Sequence, residues 1–299
     1  MKKLLVLGIS ALALAAAAGS AQATDTPARQ EGRVWIDQNF VLAFSPNWSL
    51  TTMPGARSEY ARSREGAAGL QLLELFFGPN YTYRTGNWTI KGSLWYYYMG
   101  YPQRGREVPG KPTASDCSIA PMGSSPYCTS TYNASHNLEI IPSVEYRWGR
   151  WSIYDRVILH NTIYADVYST PNPTLNLSVA DQRLGWGTVL RELVQGRFAV
   201  TDRLGVSVMD ELFLGIIEDG DTSKIADGKG YIPTGYWKQG FRANRVYLGI
   251  DYKVTPNFIL APMYMVEVMM NATDSTDVTD IAHTLFVVAT VTAAIFGNK

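Results

Sequence analysis

A chain of 299 residues with 26 basic and 26 acidic side chains carries no net charge, and no basic tract stands out within it. That balance excludes a nucleic-acid surface, and no stretch after the N-terminal one reaches the roughly 18 consecutive apolar residues that a membrane-spanning helix needs. Two cysteines supply too few ligands for a metal site, and neither a metal nor a cofactor is expected.

Residues 1–23, MKKLLVLGISALALAAAAGSAQA, open on Lys2 and Lys3, continue as an apolar run and end small-x-small at Ala21 and Ala23. They read as a secretory signal peptide cleaved before Thr24. Cleavage would leave 276 residues with 24 basic against 26 acidic side chains. No Pro/Gly/Ser-rich linker divides residues 24–299, so one domain is expected.

From there the chain falls into eleven segments rich in Val, Ile, Tyr, Trp and Phe, bounded by turn residues. Their rhythm is that of strands rather than helices. Segments 33–45 and 48–62 flank Pro46 and Asn47, and segments 70–83 and 88–101 flank residues 85–87. The fourth reads WTIKGSLWYYYMGY; Trp88, Ile90, Leu94, Tyr96 and Tyr98 share one face, and Thr89, Lys91, Ser93 and Tyr97 the other. The polar stretch 102–135 follows. It contains Cys117 and Cys128, which in an exported protein are expected to close a disulfide worth about 2 to 3 kcal/mol.

Segments 136–148 and 151–164 flank Gly149 and Arg150. In the first of them Leu138, Ile140, Val144, Tyr146 and Trp148 lie opposite Asn137, Glu139, Ser143, Glu145 and Arg147. Segments 182–200 and 204–216 flank residues 201–203, segments 240–254 and 258–270 flank residues 255–257, and 281–296 is the last. The ninth again alternates, with Val246, Leu248, Ile250 and Tyr252 opposite Arg245, Tyr247, Gly249 and Asp251.

Short connections alternate strictly with long polar ones, at 61–69, 102–135, 165–181, 217–239 and 271–280. All the short ones then lie at one end of the sheet and all the long ones at the other. This predicts an all-β, antiparallel, up-and-down transmembrane β-barrel of about 10 to 12 strands, 12 favoured because bacterial single-chain barrels are even-numbered. Short periplasmic turns and long outer loops complete the expectation. Trp48, Trp88, Trp148, Trp151 and Phe258 sit at or beside the short turns, where an interfacial aromatic girdle belongs. Pro54, Pro142 and Pro262 fall inside predicted strands, where each removes a ladder hydrogen bond and is expected at a bulge or an edge.

The stretches RVWIDQNFVLAFSPNWSL, HNLEIIPSVEYRWGRWSIYDRVIL and FRANRVYLGIDYKVTPNFILAPMYMVE together resemble a family of Gram-negative outer-membrane β-barrels known only as a domain of unknown function. The third is the most specific of them, and His283 stands where that family's last strand opens. The resemblance implies a fold and a bacterial outer-membrane location, and no activity.

Alternation nominates Lys91, Glu139, Glu145, Arg147, Arg156, Arg183, Arg191, Glu211, Arg245, Asp251 and Glu267 as polar residues lining a lumen. They would either select small hydrophilic solutes along a pathway or plug the barrel with ion pairs. Catalysis is not expected. His136, His160 and His283 match no hydrolase spacing, no Gly-x-Ser-x-Gly occurs, and Ser135 and His136 would face opposite ways on a strand. The acidic stretches with Asp219, Asp221 and Asp227, and with Asp274, Asp277 and Asp280, lack the spacing of a calcium loop and read as solvated. The expected protein is a passive porin-like channel or structural envelope barrel among outer-membrane lipid and lipopolysaccharide. A surface-binding or adhesive barrel acting through its outer loops is the alternative, and a lipid hydrolase a more distant one.

Overall fold

The structure, a computed structural model, describes residues 28–62, 69–107, 128–169, 187–217, 239–270 and 278–295. These residues form eleven strands: β1 (Arg29–Ala43), β2 (Trp48–Arg62), β3 (Gly69–Thr85), β4 (Trp88–Glu107), β5 (Cys128–Trp148), β6 (Trp151–Ser169), β7 (Gly187–Ala199), β8 (Leu204–Ile217), β9 (Gly240–Thr255), β10 (Phe258–Met270) and β11 (Val278–Ala294). Each strand pairs with the next in sequence and the sheet closes on itself. The all-β up-and-down barrel predicted from the strand rhythm is the fold observed.

The count of eleven lies inside the predicted range and one below the favoured twelve. The reason is the closing pair. β1 runs parallel to β11 from Arg29 opposite Asp280 to Ala43 opposite Ala294. A meander of odd strand number brings its first and last strands together pointing the same way, and a parallel ladder, evenly spaced though slightly weaker per residue, joins them. No twelfth strand is needed between them.

The tight turns gather at one end. Ser45 Oγ accepts the backbone N–H of Trp48 at 2.9 Å, and Thr201 Oγ1 accepts that of Leu204 at 3.0 Å. Gly86 and Gly149 take the left-handed conformation, φ 54° and 59°, that two-residue hairpin loops require. Residues 63–68, 108–127, 170–186, 218–238 and 271–277, which follow the opposite strand ends, lie outside the described residues, as do residues 1–27. So do the predicted signal peptide, Arg183 and Cys117, and with Cys117 the expected disulfide. Asp219, Asp221, Asp227, Asp274 and Asp277 fall outside as well.

Several strands outrun their predicted limits. β4 continues to Glu107 and β5 begins at Cys128, pairing Arg104–Glu107 with residues 128–131. Apolar alternation ends where an apolar surroundings would end, whereas the backbone ladder needs no apolar side chain to continue. The prolines also differ from expectation. Pro54, Pro142 and Pro262 occupy interior strands with no register shift beside them. Each keeps its pairing with one neighbour, opposite Leu75, Gly92 and Val287. On the other side the ladder skips two positions and resumes in the same register, so the missing N–H is absorbed without a bulge.

Side chains alternate as predicted. Ile36, Phe40, Leu73, Phe77, Ile90, Leu94, Ile140, Val208, Leu248 and Leu285 stand exposed on the outer wall, a surface suited to lipid rather than water. The aromatic girdle is present at the turn end. Trp48 meets Tyr81 with ring centroids 5.0 Å apart, Trp88 meets Tyr146 at 4.5 Å, and Trp151 meets Phe198 at 4.7 Å.

Candidate functional site: a charged girdle across the lumen

The inward faces carry the ions. Arg33 on β1 pairs with Glu31 of its own strand and reaches past β11 to Glu267 of β10, 2.8 Å. Glu267 accepts Arg245 Nε of β9 at 2.6 Å, and Arg245 Nη1 lies 3.5 Å from Glu211 of β8. Glu211 accepts Arg191 Nη2 of β7 at 2.7 Å, and Arg191 Nη1 passes β6 to reach Glu139 of β5 at 3.4 Å. Glu139 bonds His160 Nδ1 of β6 at 2.9 Å.

The circuit continues through rings. His160 stands edge-on to Tyr97 of β4, centroids 5.6 Å apart, and Tyr97 donates its hydroxyl to Glu74 of β3 at 2.6 Å. Glu74 pairs with Arg57 of β2 at 2.8 Å, and the Arg57 guanidinium lies 3.9 Å over the ring of Trp35, back on β1. Every strand except β11 therefore contributes a side chain to one belt, with signs that alternate through its ionic part. β11 supplies Ala282 and Thr284, both fully buried, and their small size lets Arg33 cross to Glu267.

Apolar side chains pack beside the belt. Trp35, Leu193, Met209, Tyr247 and Met265, from β1, β7, β8, β9 and β10, pack into one buried cluster. Glu139 and Glu211 are 1% exposed and Glu267 is 0% exposed. Tyr247 donates its hydroxyl to Glu211 at 2.6 Å, and Arg245 lies 4.3 Å over the ring of Phe213. Charges removed from water to this degree are tolerated only when paired and hydrogen-bonded, and each carboxylate of the belt is.

Of the residues nominated from sequence, Glu139, Arg191, Glu211, Arg245 and Glu267 come together in the belt. Arg156 touches it, its Nη2 3.8 Å from Glu211, while its Nε has no partner. The others point inward but lie nearer the turns. Glu145 and Arg147 pair at 2.8 Å where the Arg147 side chain is 68% exposed, Asp251 pairs with Arg197 at 2.5 Å, and Lys91 Nζ lies 5.7 Å from the Trp95 ring. Arg183 is outside the described residues.

The nominations left out Glu31, Arg33, Arg57, Glu74 and His160, while Tyr97 and Tyr247, which alternation set on the faces of Lys91 and Arg245, were not named as lumen residues. In β3 the inward neighbours of Glu74 are Leu72 and Phe76, both buried, so an apolar lumen lining hides which face is which. Ser135 is buried and bonded by Asn137 Nδ2 at 3.0 Å, while His136 faces outward against Tyr96 Oη at 2.6 Å. His283 likewise meets Tyr264 Oη at 2.7 Å on the outer wall. Along β1, Trp35 Nε1, Asp37 Oδ1 and Asn39 Oδ1 have no hydrogen-bond partner.

No family model matches the chain, and no curated protein does. The resemblance to the domain-of-unknown-function family accordingly stays an expectation drawn from residues. Among solved structures, the chain is similar to the translocator domain of the autotransporter NalP from Neisseria meningitidis, with TM-score 0.42 and 9% identity over 89% of this chain and 91% of that one. It is also similar to OmpT of Vibrio cholerae, outer-membrane expressed, with TM-score 0.27 and 12% identity over 88% of this chain and 95% of that one. The in-vitro folded form of the same protein matches with TM-score 0.25 and 11% identity over 84% and 91%.

Proposed function

We propose that this chain is a structural barrel of the bacterial outer membrane whose interior is a plug and whose contacts are made by its exterior. It sits among outer-membrane lipid and lipopolysaccharide, holds no cofactor and performs no covalent chemistry. Of the two readings of the lumen charges, the ion-paired plug is favoured over a porin-like path for small hydrophilic solutes. The observation that carries this is the belt itself, in which Glu139, Glu211 and Glu267 are at most 1% exposed although they point into the barrel. A conducting constriction keeps its charges in contact with water and ions.

Purified protein in planar bilayers tests the reading. The expected record is electrically quiet, with insertion verified by resistance to carbonate extraction and by a heat-modifiable gel shift. A steady, stepwise conductance from the unmodified barrel would return the lumen charges to the role of a selectivity filter.

A further inference from the structure

The outer wall is not apolar all round. Because Arg156, Arg191 and Glu211 enter the lumen belt, their chain neighbours Asp155 on β6, Glu192 on β7 and Asp210 on β8 point outward. The ladders set Asp155 and Asp210 on either side of Val194. Glu192 is the next outward position along β7 and stands within electrostatic reach of both. Asp210 is bonded by Asn244 Nδ2 of β9 at 2.8 Å, whereas Asp155 Oδ1 has no partner.

Toward the turns from this trio lies an apolar depression of about 540 Å³, lined among others by Gly196, Val206, Val208, Leu248 and Ile250. Gly196 has nothing within 4 Å of where a Cβ would stand, so the depression opens directly outward. Carboxylates in a hydrocarbon band are costly, and on membrane-embedded surfaces they pair or mark a functional contact. At corresponding outward positions β3, β4 and β5 present Leu75, Phe77, Leu94 and Ile140 instead.

We infer that this face of β6–β9 docks a second membrane-embedded polypeptide, which lays a lysine or arginine against Asp155, Glu192 and Asp210 and an apolar side chain into the depression over Gly196. Charge complementarity selects the occupant. A second copy docking face to face would stack carboxylate on carboxylate, and the outward positions of β1–β5 and β10 whose side chains are described carry no lysine or arginine to offer it. Lipid alone fills the depression but leaves the charges without a counter-ion. The inference rests on the bilayer placement proposed above.

A photo-crosslinking residue in place of Val194, in cells, tests it. The expected adduct joins the barrel to a different polypeptide through a peptide containing lysine or arginine. That adduct disappears when Asp155→Asn, Glu192→Gln and Asp210→Asn are combined. The same triple variant, purified into phosphatidylcholine bilayers without a partner, is expected to unfold at a higher urea concentration than the parent. An adduct of twice the chain's mass, adducts to lipid only, an adduct that survives neutralisation, or an unchanged urea midpoint would each overturn the docking proposal while the barrel stays carbonate-resistant. Release of the parent chain by carbonate would instead overturn the bilayer placement.

Discussion

Glu211 is the residue on which most of the belt converges. It accepts Arg191 Nη2 at 2.7 Å and Tyr247 Oη at 2.6 Å, and lies 3.5 Å from Arg245 and 3.8 Å from Arg156. Glu211→Ala would leave the buried Arg191 and Arg245 guanidinium groups without the carboxylate between them. Breaking one partner of a buried ion pair typically costs about 3 to 5 kcal/mol, and that loss is expected in the free energy of urea unfolding of the bilayer-inserted barrel. Glu145→Ala, removing a carboxylate whose partner Arg147 is largely exposed, should change the same quantity by less than about 1 kcal/mol. The contrast separates a lumen plug from a set of equivalent wall charges. It also explains what sequence could show. Glu139 was legible because Leu138 and Ile140 flank it, and Glu211 and Arg245 because the alternation of their longer segments set them opposite apolar positions such as Leu212 and Val246. Alternation also set Arg156, Arg191 and Glu211 inward, which leaves the adjoining Asp155, Glu192 and Asp210 to the outer wall, a cluster that a list of lumen charges passes over.

At the scale of the strand, the aromatic turn ends and the short-long order of connections predicted the boundaries at the turn end closely: β2 at Trp48, β4 at Trp88, β6 at Trp151, β8 at Leu204 and β10 at Phe258 all begin as expected. The opposite boundaries were less legible because β4, β5 and β6 continue as hydrogen-bonded ribbon beyond the apolar pattern. Glycine placement within strands carries a sharper consequence. A Cβ on Gly78 of β3 would fall on the backbone carbonyl of Leu94 and on Trp95 of the neighbouring strand. Backbone atoms in a closed sheet cannot step aside, so Gly78→Ala should lower stability by roughly 1 to 3 kcal/mol, as overpacking does. Gly92 of β4 has no atom within 4 Å of its would-be Cβ. Gly92→Ala is therefore expected to stay within about 0.5 kcal/mol of the parent, and paired urea titrations of the two variants would show whether strand-to-strand contact or glycine content decides.

For the molecule as a whole, the odd strand number concentrates the question of closure in a single seam. β1 and β11 are joined by no turn, and a parallel ladder is slightly weaker per residue than the ten antiparallel ones around it. Side chains reinforce it from within. Trp35 meets Phe286 edge-on across the seam at 5.7 Å, Asn39 Nδ2 lies 3.4 Å from Thr290 Oγ1, and Arg33 ties β1 to β10 over the top of β11. The belt thus acts on closure as well as on filling: an ion pair that skips a strand holds the two sides of the seam at a fixed distance. Parallel pairing makes a specific demand on which residues meet. Ile36 lies opposite Val287, both facing outward. In a background carrying Cys117→Ser and Cys128→Ser, Ile36→Cys with Val287→Cys should oxidise under a membrane-permeant catalyst to a disulfide that links the first strand to the last. Its signature is a barrel band that no longer shifts fully to the unfolded position on heating until reductant is added. Moving the second cysteine to Ala293, three outward positions along β11, should abolish the link. Equal crosslinking at both positions, or at neither, would mean that β1 and β11 do not share this register, and an even-stranded closure would then have to be sought.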